Sequence, residues 1–418
     1  MAIDKGTLIT DFSDGQAAWT ASGTGTAKAD TIGFSRQGTK SIAVTCPNAT
    51  GGIEYGIWRT FSPTLDLSAV THFYLSLYLP PVVSSITPTP LLYCYNNIAT
   101  PTGFRTENNW CPAGLLKPGW NDLIIPKSAM VQLAGGGDWA TAITEVRVGG
   151  YYATAGVAQA ITVDSLYHSY VGSPVVQIHF DDAYQTVFTN AMPAMEAAGI
   201  KGTVYVITDL VSDTPGTYMS WSQLRTLERM GWTIGSHGKA HIYYSGGGAG
   251  EKTTSTISTD MQTAFDALVA HGIKNPQHIA WPYGAYNNQT PALASRSYAT
   301  GRRTNLQKYQ AHPTLDGSSE YHISSDDWDL ASQTAADVLA EVDALAPNGG
   351  LQCLLFHGIA DGAVATAFAD VVTGLATRIA AESIICMTMH DYHAWLVSQQ
   401  SVSLLSNKEK QFTVLKQT

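Results

Sequence analysis

Charge and cysteine are both scarce in this chain of 418 residues, and each shortage removes a class of function. Charged residues make up 13% and the formal net charge is −10, which argues against binding a polyanion through bulk electrostatics and so against nucleic acid as a partner. The five cysteines, Cys46, Cys94, Cys111, Cys353 and Cys386, are scattered and form no Cys-x-x-Cys pair. Neither a disulfide framework nor a thiolate zinc site is indicated. No apolar run approaches the roughly 20 residues that a bilayer requires, so no membrane span is expected. The opening Met1-Ala2-Ile3-Asp4-Lys5-Gly6 lacks a basic segment followed by an apolar one, so no signal peptide is visible. Gly246-Gly247-Gly248-Ala249-Gly250 lacks the Gly-Lys-Ser/Thr ending of a phosphate loop and reads as a flexible loop. What is present is apolar: 44% of residues are hydrophobic, enough for two domains or one large one with a full core.

The pattern changes once along the chain. Up to about Tyr170, short period-two runs such as Ser41–Thr45, Tyr74–Leu79, Asp122–Ile125 and Ile161–Leu166 are separated by turn residues, which predicts an all-β sandwich. Its composition resembles jelly-roll modules that accompany carbohydrate-active enzymes. The aromatics here include Trp19, Tyr55, Trp58, Tyr93, Tyr95, Trp110, Trp120, Tyr151 and Tyr152, and most are expected in its core. Gly172-Ser173-Pro174 breaks both periodicities and marks a boundary. Beyond it, apolar strands (175–180, 203–207, 233–235, 278–281, 351–356, 384–387) alternate with helical stretches (187–198, 221–230, 256–270, 335–345, 365–380, 392–398). Alternation of this kind builds βαβ units and a parallel sheet long enough to close into a barrel. The expected division is a sandwich over 1–171, for binding or anchoring, a catalytic domain over 172–400, and an unassigned tail over 401–418.

Val175-Val176-Gln177-Ile178-His179-Phe180-Asp181-Asp182 is a β-branched run that ends in two adjacent carboxylates. Reactive groups of α/β barrels sit at such strand ends, although an Asp-Asp pair also closes ordinary strands as a solvated turn. Ser236-His237-Gly238-Lys239-Ala240-His241 follows the strand at 233–235 and sets two imidazoles four residues apart. With one of the aspartates they could hold a divalent ion and leave positions open, a catalytic rather than a structural site. Ala280-Trp281-Pro282-Tyr283-Gly284 makes a tight loop after another strand, and Leu354-Leu355-Phe356-His357-Gly358 ends a buried strand in an imidazole. Taken alone, His357 reads equally well as a core histidine. His179 precedes the acids on its strand and is expected to pack.

These four stretches, in this order, resemble the polysaccharide deacetylases of carbohydrate esterase family four, the chitooligosaccharide-deacetylase homology domain, over roughly 174–398. The resemblance implies a distorted (β/α) barrel of about seven strands and a metal-dependent hydrolase that removes acetyl groups from a polysaccharide. By that likeness Asp181 is the general base, Asp182, His237 and His241 are the ligands of one divalent ion, expected to be zinc, and His357 is the general acid. The Tyr283 backbone N–H corresponds to an oxyanion-hole donor, and Trp281, Pro282 and Trp328 to groups lining the sugar groove. Asp326-Asp327-Trp328 resembles a family motif whose acid tunes the catalytic histidine. Two departures stand out. Gly238 replaces the Ser or Thr that commonly follows the first metal histidine, so a loop-fixing hydrogen bond is expected to be lost. Ala280 replaces an arginine that orients the base; Arg302 or Arg303, expected just after the next strand, is the candidate substitute.

The expected partner is an acetylated bacterial surface or capsular polysaccharide, with N- and O-linked acetyl both open, as is the oligomeric state. Two other readings remain. One is a non-catalytic carbohydrate-binding protein on a decayed scaffold; the other is a phage tail component acting on host capsule. The location expected is extracellular or virion-associated.

Overall fold

The computed structural model describes residues 7–398 apart from 24–25, 33–38, 47–52, 80–88, 108–118, 153–158, 169–172, 245–251, 288, 305–309, 311, 314–318 and 347–348. The glycine-rich loop 246–250 and the tail 401–418 therefore lie outside the described residues. The chain forms two compact units, one over 4–172 and one from Ser173 onward.

The first unit is a sandwich of two antiparallel six-stranded sheets. Thr7–Thr10, Ala27–Ile32, Lys40–Cys46, His72–Leu79, Gly119–Pro126 and Gln159–His168 make one; Thr20–Ser22, Ile53–Leu65, Thr89–Asn97, Thr102–Thr106, Met130–Gln132 and Ile143–Tyr152 make the other. Alternation sends Ile42, Val44, Phe73, Leu75, Ile161 and Val163 from the first sheet, and Ile57, Leu92, Cys94, Val146 and Val148 from the second, into one shared core. Trp19 and Tyr55 lie in that core. Tyr93 and Tyr95 are buried in a separate cluster on the other face of their sheet, and Trp58 and Tyr151 are half-buried. Trp110 and the side chains of Trp120 and Tyr152 lie outside the described residues.

The second unit is a closed parallel barrel. Its strands are β1 (Pro174–Phe180), β2 (Thr203–Val206), β3 (Thr233–Ser236), β4 (His278–Ala280), β5 (Thr300–Thr304), β6 (Ile323–Asp327) and β7 (Gly350–Phe356), each paired with the next, and β7 pairs back to β1. A short β8 (Ile385–Cys386) pairs Val175 and Val176 at the start of β1, while β2 pairs His179 and Phe180 at its end. The helices are α1 (Met192–Ala197), α2 (Trp221–Arg229), α3 (Thr254–Ala270), α4 (Thr290–Ala294), α5 (Ala335–Leu345) and α6 (Ala363–Ala380), and Val176, Ile178 and Phe180 face outward into an apolar layer that also takes residues of α2, α5 and α6. Gln177 and His179 face inward: His179 Nε2 lies 2.8 Å from Gln177 Oε1, and burial pushes the imidazole down to about 3. Helix α6 is long and apolar enough to cross a membrane by length and composition. Here Phe368, Val371, Val372 and Leu375 form a stripe packed into the barrel's outer core.

Two strands differ from the sequence expectation. β5 and β6 have no apolar run, because they bury Arg302, Arg303, Ser324 and Ser325 in place of aliphatic residues. The arginines accordingly lie on a strand, not after it.

Candidate active site

The C-terminal ends of the barrel strands bring the candidate residues together. Asp181 directly follows β1, and its N–H donates to Phe356 O of β7 at 3.0 Å. Its carboxylate is buried and accepts from Arg302 Nη2 at both oxygens, Oδ2 at 2.6 Å. Arg302 Nη1 donates to Ser325 Oγ at 2.9 Å, which fixes the guanidinium from the next strand. Burial pushes the Asp181 carboxyl up, but the Arg302 guanidinium outweighs it and holds the group at about 2. Arg303, one residue on, faces the other side of β5 and donates from Nε to Ser324 Oγ at 2.9 Å. It does not reach the base; strand alternation chooses between the two arginines.

Asp182 and Ala183 both take left-handed φ, 67° and 58°, and both carboxylates come near one nitrogen, Asp181 Oδ2 lying 3.6 Å from His237 Nε2. Asp182 Oδ1 comes within 3.7 Å of His237 Nε2 and 3.9 Å of His241 Nε2, and these two nitrogens lie 3.2 Å apart. His237 Nδ1 lies 2.9 Å from Ala280 O; a carbonyl only accepts, so the proton sits on Nδ1 and the Nε2 lone pair faces Asp182. Burial pushes both imidazoles down, keeping them neutral, and pushes the Asp182 carboxyl up. Asp182 Oδ1 is buried with no hydrogen-bond partner. A carboxylate oxygen left in that state beside the His237 lone pair is costly, and a divalent cation is the group that would satisfy both and take His241 Nε2 as a third ligand. The three offer one ligand atom each within 4.8 Å of one another.

The loop carrying the imidazoles is fixed by a residue that the sequence reasoning missed. Asp260, on α3 (Thr254–Ala270), accepts from Lys239 N at 2.9 Å, Ala240 N at 3.1 Å and Tyr244 Oη at 2.7 Å. The loop bond expected to be lost at Gly238 is thus supplied from elsewhere. A signal was present: Asp260 sits among Ile257, Met261, Ala264 and Leu268 on the apolar stripe of its helix, where an acid is out of place unless it has partners.

On the opposite side, His357 follows β7 half-exposed, with Nδ1 3.5 Å from Asp327 Oδ1 at the end of β6. The Asp327 carboxylate holds the His357 imidazole above its ordinary value. Both line a cavity of about 280 Å³ together with Trp328 and Leu330. Trp328 is buried beneath it, and its indole N–H has no hydrogen-bond partner.

Trp281 and Pro282 are corrected. Both are buried, and Trp281 is 0% exposed among Tyr244, Ile257, Ile279, Tyr298 and Tyr321, with Nε1 donating to Tyr321 O at 3.2 Å. One residue past the end of β4, this indole packs with Ile279 beneath α3. Tyr283 instead is 52% exposed, in a left-handed turn at φ 58°, with its ring stacked on that of the exposed Tyr243 at 4.1 Å and against His241 at 4.2 Å. Of six left-handed non-glycine residues among those described, Asp182, Ala183, His241 and Tyr283 are at this site. Each costs about 1–2 kcal/mol, and such strain gathers where function fixes the backbone.

Residues 168–300 match the family model described as polysaccharide deacetylase. This segment carries Asp181, Asp182, His237, His241 and Tyr283; Arg302, Asp327 and His357 lie beyond it. No curated protein matches the chain. Among solved structures, it is similar to a putative polysaccharide deacetylase from Mycobacterium smegmatis at 16% identity and a TM-score of 0.41, covering 55% of this chain and 92% of that one. A family 4 acetyl xylan esterase from Clostridium thermocellum, in complex with a cobalt ion, matches at 15% identity and TM-score 0.38, covering 53% and 91%. The Xyl-CE4 domain of a multidomain xylanase from the hindgut metagenome of Trinervitermes trinervoides matches at 17% identity and TM-score 0.37, covering 53% and 90%.

Proposed function

We propose, for a chain that carries a polysaccharide deacetylase domain over 168–300, that it hydrolyses acetyl groups from a polysaccharide outside the cell, with one divalent ion held by Asp182, His237 and His241. The observation that carries the reading is the buried, unpartnered Asp182 oxygen set beside the Nε2 lone pair of His237 and the Nε2 of His241. Zinc is the expected ion, and when bound it supplies Lewis acidity to an acetyl carbonyl and to water. Asp181, already deprotonated, accepts the proton of the attacking water, and Arg302 holds both of its oxygens in line. His357, kept above its ordinary pKa by Asp327, carries a proton to the leaving nitrogen or oxygen. The cavity beside Trp328 receives the acetyl group, and the Tyr243–Tyr283 pair gives a sugar ring an exposed aromatic face to rest on. The Tyr283 N–H is the donor assigned to the developing oxyanion, a kind of contact typically worth about 3 kcal/mol.

The test is acetate release from a panel of N- and O-acetylated bacterial glycans, before and after chelation and after zinc or cobalt is returned. Release that stops with chelator and resumes with metal supports the reading and identifies the linkage. Glycan binding without release, in protein shown to contain metal, sinks it in favour of a carbohydrate-binding protein.

A further inference from the structure

The residue that follows His237 is Gly238, which brings no side-chain hydroxyl into the loop between the two imidazoles; the hydroxyl on the other side, Ser236 Oγ, accepts from Gly238 N at 3.1 Å. We propose that Asp260, completed by Tyr244, is the positioning residue that sets the spacing of His237 and His241 and with it the affinity for a divalent ion. This rests on reading Asp182, His237 and His241 as the ligands.

Three observations converge. Asp260 is 6% exposed, and a carboxylate so placed on the apolar side of a helix is tolerated only when its lone pairs are used. All three of its contacts come from the ligand loop and the residue closing it: the N–H groups of Lys239 and Ala240, and the Tyr244 hydroxyl. Pinning these successive amides fixes the chain leading into His241, whose φ of 52° it would not hold unaided. Gly238 also fits the brace. At φ 77°, a Cβ added there would meet Tyr244 Oη at 2.6 Å and Asp260 Oδ2 at 2.8 Å. The side chain that would brace the loop from within is thus sterically exclusive with the carboxylate and hydroxyl that brace it from outside.

Asp260→Asn keeps the shape but offers one acceptor oxygen, and turns an N–H₂ donor toward groups that are themselves donors. The other side of the loop remains tied, since Thr208 N donates to Gly238 O at 3.3 Å and Asp209 N to Lys239 O at 3.0 Å, so the variant is expected to fold. Tyr244→Phe removes one of the three bonds and leaves the carboxylate.

The experiment titrates metal-free, full-length protein with zinc against a chelating indicator. It also records the cobalt absorption spectrum at saturation and the melting temperature of each metal-free form. The expected result is a zinc Kd raised about 10–100-fold in Asp260→Asn and several-fold in Tyr244→Phe, with an altered cobalt spectrum in the former, as for partners that orient metal-binding histidines. A purely structural carboxylate would lower the melting temperature of the metal-free protein and leave Kd and spectrum unmoved, which overturns the proposal. Should Asp260→Asn not fold, an unchanged Kd in Tyr244→Phe overturns it equally. Wild-type protein that takes up no zinc or cobalt is a separate result, which removes the ligand assignment itself.

Discussion

Asp181 and His357 are set apart by their neighbours rather than by their own chemistry. Arg302 holds Asp181 at about 2 against the effect of burial, so Arg302→Met should let burial dominate and raise the carboxyl. The acid limb of kcat/KM is then expected at higher pH than in the wild type; a limb that stays in place removes Asp181 as the titrating base. Leaving that carboxylate buried and unpaired should also destabilise the fold by about 3–5 kcal/mol. His357 has the opposite sign. Its raised pKa keeps the acid form to higher pH, and the form is lost as pH rises through that value. In Asp327→Asn the alkaline limb should move to lower pH, with the acid limb unmoved. Identical alkaline limbs in the two proteins would show that Asp327 does not govern this proton.

At the scale of elements, the strand ends were legible and two of the strands were not. The runs ending at Asp181 and His357 are apolar because both faces of β1 and β7 are largely covered, so hydrophobicity marked them. β5 and β6 bury an arginine pair and a serine pair, and a search for apolar runs passes over them. For the same reason, Arg302 and Arg303 could not be told apart until the strand gave them opposite faces. Trp281 was misread because its motif resembles a groove-lining one, while the direction of its indole just past β4 is fixed by packing that the motif does not encode. Trp281→Phe should therefore lower stability, measured by denaturant midpoint, by about 1–3 kcal/mol, and Gly301, whose Cβ would lie 2.0 Å from the indole, shows how tightly that ring is held. KM for polymer is expected to remain within about twofold in this variant; a tenfold rise at unchanged stability would return Trp281 to the groove.

Taken whole, the chain has separate cores in the sandwich and in the barrel, and every candidate ligand among the described residues belongs to the barrel. Calorimetry of the intact protein should resolve two transitions, only one of which rises with zinc. At a free metal concentration about a hundred times Kd, the gain is about 2.7 kcal/mol for the unit that binds. Two transitions that both rise would mean that the sandwich also takes up metal, and a single transition would mean that the units melt as one.

The pairing of β7 with β1 reaches further than the site. All seven residues of β1 lie alongside Gly350–Phe356, and the Asp181 amide is held by Phe356 O, more than 170 residues later. During synthesis, Asp182, His237 and His241 have long been made before the strand that completes their surroundings appears. Such distant contacts form slowly. A nascent chain halted before residue 350 carries all three ligands and Arg302 on an open sheet, with the Asp181 amide unpaired and His357 not yet made, so premature release should yield protein without turnover.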